Sequence, residues 1–269
     1  MATVAPRPNL VPNDPLHVKT DKRLGWVRDL PDSRDVMFAA APETLAALPP
    51  RVDLRSKCPP VYDQGQLGSC TANAIAAALQ FDELAANPKT PVPSRLFIYY
   101  NERAIEGTIG SDSGAQIRDG VKSVAKLGAP PEADCPYVIG DFTHKPSPAA
   151  YADALKTRAI AYMRVAQTLS QMKGCLAAGF PFVFGFTVYE RFMSPAMAAS
   201  GVGSLPKPGE KVEGGHAVMA VGYDDASQTF IIRNSWADTW GMKGYFTFPY
   251  PYLTEADLSD DFWTIRRVS

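Results

Sequence analysis

The stretch from Cys70 to Asn87 carries no charged side chain before Asp82 and is dominated by Ala, Ile and Leu. A helix without a polar face must be covered on most sides by other elements. Gly65 and Gly68 precede it, and Asn87-Pro88 ends it, because the residue before a proline is driven out of helical geometry. Enclosing such a helix takes a sizeable core, which 269 residues with 46% hydrophobic and 20% charged content can supply.

Two amphipathic helical patterns follow, over 94–106 and 114–127, the second with Ile117, Val121, Val124 and Leu127 on one stripe. Beyond the proline-rich loop at 145–148, strand patterns cover 159–166, 181–188, 216–223, 229–233 and 244–248, with one helix near 170–178. The chain is therefore expected to be α+β, with a helical part over about 48–158 and a β part over about 159–269. Residues 1–47 hold six prolines and read as an extended arm, on which Leu24, Trp26, Val27 and Leu30 form an apolar cluster suited to docking. An unattached tail and a segment lying over a cleft are both open for this arm.

A net charge of −1 gives no broad footprint for nucleic acid or an anionic membrane, so neither is an expected partner. No apolar run is long enough to span a bilayer, and the N-terminus lacks the apolar core of a Sec signal. The expectation is a soluble protein, cytoplasmic or exported by a leaderless route. Cys58, Cys70, Cys135 and Cys175 form no C-x-x-C pair and do not group with His17, His144 or His216. No metal or cofactor is expected. Such sparse cysteine usage fits a reducing compartment, with a Cys58–Cys135 bridge left open.

Four residues carry potential chemistry. Cys70 opens the buried helix, where unpaired N–H groups and the macrodipole favour a thiolate. His216 is the histidine set on a strand rather than in the arm or a loop, and Gly214-Gly215 before it permit close approach of another backbone. Asn234 ends the strand FIIR beside Trp236 and suits the orientation of an imidazole. Gln64 offers side-chain N–H donors which, with the Cys70 backbone N–H, would make an oxyanion hole. Each taken alone has an ordinary structural reading; their joint occurrence does not.

The order Cys70, His216, Asn234 resembles that of the papain-like cysteine peptidases. QGQLGSC is similar to the family's Q-G-x-C-G-S-C, GGHAVMAVGY to its H-A-V-x-x-V-G-Y, and NSWADTWGMKGYF to its N-S-W-G-x-x-W-G-x-x-G-Y, with VDLR near the start. The resemblance spans about Leu48 to Phe248. It implies a papain-like two-lobe fold, an N-terminal helical lobe and a C-terminal antiparallel β-sheet or barrel lobe with the cleft between them. It also implies hydrolysis of a peptide or protein substrate. Cys70 would be the nucleophile, His216 the base and acid, Asn234 its orienter, and Gln64 the oxyanion donor. Gly68, Gly114, Ala115, Gly215 and Trp236 would bind substrate.

Departures from the family pattern are informative. Leu67 replaces the cysteine three before the nucleophile, and Thr71 replaces the aromatic after it, which points to the bacterial branch that SRLFIYYNER, DSGA and LGWVRDLPDSRD also resemble. Ala115 and Gln116 stand where many relatives carry Tyr and Pro in the main specificity pocket, so a bulky apolar preference is not implied. The 1–47 extension is shorter than the family's helical pro-domain, yet inhibition of the 48–269 body by a cleft-covering arm is expected. Two other functions share the scaffold: a catalytically silent binding module, and an acyl transferase or isopeptidase using the same triad.

Overall fold

The computed structural model describes residues 22–157 and 160–267. The first part of the chain forms β1 (Trp26–Val27), β2 (Met37–Phe38), α1 (Pro42–Ala46), β3 (Arg51–Asp53), α2 (Cys70–Ala86), α3 (Arg95–Glu106), β4 (Ala115–Gln116) and α4 (Ile117–Leu127). The remainder contributes α5 (Pro148–Ala154), β5 (Ile160–Val165), α6 (Leu169–Ala177), β6 (Phe182–Tyr189), α7 (Pro195–Ser200), β7 (Val212–Asp224), β8 (Thr229–Arg233), β9 (Tyr245–Pro249), α8 (Tyr250–Thr254) and β10 (Ser259–Arg267).

The charge-free helix α2 is buried from Cys70 through Phe81, with α3 and α4 packed on it from one lobe and β7 and β10 from the other. Ala72, Ala74, Ala76 and Ala77 let these elements approach its backbone, and Ile75 fills the space between them. Full burial of that one side chain is worth roughly 1.5–3 kcal/mol. The α3 N-terminus is capped by the Ser94 side chain, which accepts from the Phe97 N–H, and its end turns at Gly107 with φ 73°.

The large sheet runs β2-β5-β10-β6-β7-β8-β9, with β3 added to β7; every pairing is antiparallel except β2 with β5. Alternation on β6 puts Phe182, Phe184 and Phe186 on one face, where they meet Phe230, Phe248 and Phe262 in a buried aromatic core. The fold is α+β with two lobes, helices α2 to α4 on one side and the sheet on the other. Among the described residues no helix is long and apolar enough to cross a membrane.

Several expectations need correction. Helix α4 starts at Ile117, not at 114, because Gly114 takes φ 73° and Ala115–Gln116 pair with β1. Strand β7 begins before His216, so Gly214 and Gly215 lie inside it, opposite Val188 and Thr187. Strand β10 escaped the sequence pattern because acids open it and arginines close it, masking the alternation between them. Residue 159, an expected strand start, lies outside the described residues, as does His17. The arm is not simply extended: β1 joins β4, β2 joins the sheet edge at β5, and α1 packs on α6. Of its apolar cluster, Trp26 is buried and Leu24 half-buried; Val27 faces solvent because it follows Trp26 on β1 and points to the opposite side, and Leu30, beyond the strand, is exposed. All four cysteines are free, so no Cys58–Cys135 bridge forms.

Candidate active site

The loop carrying Gln64 is fixed from both lobes. Arg95 donates through Nη1 to the Asp63 carbonyl at 3.0 Å and to Asn73 Oδ1 at 3.1 Å, while its guanidinium lies 4.0 Å from the centre of the Tyr137 ring. Buried Arg233 donates to the Pro60 carbonyl and sits 4.5 Å from the centre of the Tyr62 ring. Gln64 itself bridges the lobes, its backbone N–H donating to the Ser235 carbonyl at 2.9 Å and its Oε1 accepting from Ser235 Oγ at 2.7 Å. That anchoring fixes the amide orientation and commits Nε2 as a donor.

Cys70 is the first residue of α2 and fully buried. The backbone N–H groups of Gly25 and of Ala217, the residue following His216, favour its ionised form. His216 is also fully buried. Its Nε2 is 2.8 Å from Asn234 Oδ1, and the same Oδ1 accepts from the Ser235 N–H at 2.9 Å, so it must be an acceptor toward both. Nε2 therefore carries the proton, and Nδ1 keeps its lone pair; no partner occupies Nδ1 among the described residues. The Trp236 ring lies 4.7 Å from the imidazole, tilted by 30°, and shields the Asn234–His216 bond from water.

The arm passes through this site. Gly25 donates its N–H to the Gly215 carbonyl at 3.0 Å and accepts at its own carbonyl from the Ala115 N–H at 2.8 Å. The Arg23 carbonyl accepts from Gln64 Nε2 at 3.0 Å, a donor shared with the Leu67 carbonyl at 2.9 Å. Glycine is required where the arm crosses: a Cβ on Gly25 would lie 1.8 Å from the Gly68 carbonyl oxygen, and one on Gly114 would lie 2.1 Å from the Gly25 oxygen. Gly68, Gly114, Ala115 and Gly215 thus come together around one stretch of backbone.

The covering decides the electrostatics. Burial pushes the Cys70 thiol up to about 12, outweighing the neighbouring N–H groups, and pushes His216 down to about 4 against the opposing Asn234 bond. The lowered thiol expected from the helix N-terminus is therefore reversed while the arm is in place. A neutral thiol and a neutral imidazole share the covered site.

Several functional-looking residues escaped the sequence reading. Asp112 accepts from the Gly68 N–H at 2.9 Å and from Tyr99 Oη at 2.5 Å, while that hydroxyl accepts from the Gly114 N–H at 3.2 Å, bracing both glycines. The arm is fastened by Asp29 and Asp35. The Trp263 indole and the Arg118 N–H donate to Asp29, and Arg118 pairs with Asp35 at 2.5 Å. Asp112 lies in DSGA and the two arm acids in LGWVRDLPDSRD, but nothing local tells a bracing acid from a surface one. Thr71, at the family's aromatic position, donates to Glu102 Oε2 at 2.8 Å, and burial raises that carboxyl well above its usual range. His144 stands exposed, 3.2 Å from Asp141. No group of three or more potential metal ligands occurs among the described residues.

Most of the chain is similar to known proteins. Residues 48–255 match the model of the papain family cysteine proteases. An uncharacterized peptidase C1-like protein of Acanthamoeba polyphaga mimivirus is 41% identical over 273 residues, covering 92% of this chain and 88% of that protein. Bovine pro-cathepsin H is 29% identical, and the match spans 59% of its length. Among solved structures, xylellain, a cysteine protease from Xylella fastidiosa, superposes with a TM-score of 0.86 at 45% identity, covering 94% of this chain and 99% of that one. The chain belongs to the papain family and is a cysteine protease.

Proposed function

We propose that this chain hydrolyses peptide bonds through Cys70, His216, Asn234 and Gln64, and that residues 1–47 act as an inhibitory segment on a catalytic body of residues 48–269. The observation that carries the reading is the His216–Asn234 bond, which leaves Nδ1 as a free base on the strand lying against Cys70. Once substrate replaces the arm, Nδ1 takes the Cys70 proton as sulfur bonds to the scissile carbonyl carbon. The oxygen becomes an anion held by Gln64 Nε2 and the Cys70 backbone N–H. Collapse breaks the C–N bond, and the imidazolium gives its proton to the departing amine. Water, deprotonated by His216, then attacks the thioester, returning the carboxylic acid and the thiol. Gly68, Gly114, Ala115 and Gly215 would hold the substrate backbone, and Trp236 would border the leaving-group side.

The arm's contacts support inhibition, since it uses the same Gly215 carbonyl, Ala115 N–H and Gln64 donor that a substrate would need. The protease would thus be made as a zymogen. The test is turnover of a quenched fluorescent peptide mixture by the full-length chain and its Gly25→Ala variant. Turnover should rise in the variant and vanish when Cys70→Ala is added. Turnover that survives Cys70→Ala overturns the reading, and labelling of Cys70 without any turnover favours the silent binding module.

A further inference from the structure

Beyond the cleft the arm rests on a surface with a chemistry of its own. Past Trp26 it carries Asp29, Asp32 and Asp35, spaced by three residues. They lie against Arg118 and Lys122, one turn apart on α4, and Arg164 on β5. Asp29 accepts from the Arg118 backbone N–H at 3.0 Å, and Asp32 lies 3.8 Å from Lys122 Nζ. The two oxygens of Asp35 accept from Arg118 Nε at 3.1 Å and Nη2 at 2.5 Å, and one of them lies 3.4 Å from Arg164 Nη1.

These cations depend on the arm unequally. Arg164 keeps Asp260 at 2.8 Å and Asp261 at 3.3 Å within the body. Arg118 has no such reserve: it is 3% exposed, and every side-chain hydrogen bond it makes among the described residues goes to the arm, to Asp35 and to the Leu30 carbonyl. Its guanidinium is held 5.6 Å from the centre of the Trp263 ring, a body residue that stays when the arm goes. Departure of the arm therefore strips Arg118 of its bonded carboxylate and Lys122 of Asp32. What is left is a guanidinium fork already oriented for a bidentate carboxylate, with a second cation one turn away.

We propose that the surface beneath residues 29–35 is an exosite that docks an acidic segment of a protein substrate, with substrate carboxylates taking the places of Asp35 on Arg118 and Asp32 on Lys122. The inference rests on the hydrolytic reading and adds a recognition surface outside the cleft. Asp32 and Asp35 stand seven and ten residues beyond Gly25, so acids should count when they lie about that far from the cleaved bond. Hydrogen bonds to a charged partner are strong enough for an advantage on the order of tenfold.

The test uses the full-length Gly25→Ala chain carrying Asp32→Asn and Asp35→Asn, so that the arm no longer supplies those carboxylates. Fluorescent peptides with two aspartates three residues apart, or asparagines in their place, are built on either side of the bond most readily cleaved in a peptide mixture. Binding is read by anisotropy on the Cys70→Ala form and turnover by kcat/KM on the active form. In one of the two placements the Asp peptide should bind and be cleaved about tenfold better than its Asn counterpart, through KM rather than kcat, with the advantage shrinking as salt rises. Arg118→Gln should abolish the advantage while the Asn peptide is still turned over, which reports a folded chain. Lys122→Gln, at a half-exposed position, should reduce it and decides the matter where Arg118→Gln fails to fold. Equal binding of Asp and Asn peptides in both placements, or an advantage unchanged by these substitutions, overturns the proposal. An anisotropy advantage with no peptide turned over would instead remove the hydrolytic reading and leave the docking surface standing.

Discussion

The backbone N–H of Gly25 donates to the carbonyl of Gly215 at 3.0 Å, so the arm is bonded to the residue immediately before His216. A peptide strand already occupies the cleft, and it belongs to the chain itself. The same glycine lies against the Gly68 carbonyl, which the Asp112 bonds to the Gly68 N–H hold in place. Gly25→Ala should lift the arm and raise kcat/KM toward peptides by roughly tenfold to a hundredfold, as expected for an overpacking cost of about 1–3 kcal/mol confined to the covered state. Steady-state kinetics of the two full-length chains check this.

Gln64→Glu keeps an oxygen for Ser235 Oγ but exchanges the Nε2 donor for an acceptor. In the Gly25→Ala background kcat should fall on the order of a hundredfold to a thousandfold, with KM little changed, because the lost interaction forms in the transition state. A change confined to KM would place Gln64 in ground-state binding instead.

Asn234→Ala leaves the His216 Nε2 proton without its buried acceptor and frees the imidazole to rotate or change tautomer. A loss of about 1–3 kcal/mol, or roughly five- to 150-fold in kcat, is expected. In the open Gly25→Ala background, histidine NMR should show a mixed tautomer population where the Asn234-containing chain holds Nε2–H alone.

Much of the site could be read from the chain because each motif sits in a stretch whose local pattern sets its position. Cys70 heads a helix that must be buried, and His216 lies on an apolar strand. The bond that makes them a site was not local: Gln64 reaches Ser235, and Gly25 reaches Gly215, across long spans of sequence. Asp29 and Asp261 were missed for the same reason, since two buried acids on distant segments look like ordinary surface acids until the fold pairs them. The state of the thiol was misjudged because helix position was weighed without the desolvation that the arm imposes.

Acidification acts on arm docking in two opposing ways. His216 is held down to about 4 in the covered state, so its contribution to docking is present above its ordinary value near 6.5 and is lost as pH falls toward 4. Asp261 is raised to about 7 by burial and then by nearby Asp29, so the covered state binds its proton more tightly and docking gains as pH falls below 7. Asp261→Asn removes the second effect. Hydrogen exchange across residues 22–30, corrected for its intrinsic pH dependence, should increase more steeply from pH 7 to pH 5 in Asp261→Asn than in the parent. Parallel profiles would show that the carboxyl does not titrate with docking.

The most direct test of a covered nucleophile is the rate at which each cysteine reacts with iodoacetamide at pH 6, read by mass spectrometry in the full-length chain and in Gly25→Ala. Cys70 should be slow in the parent and at least tenfold faster in the variant, while Cys58, Cys135 and Cys175 keep their rates. A Cys70 rate that is the same in both chains, or no faster than the other three cysteines in Gly25→Ala, would contradict the account.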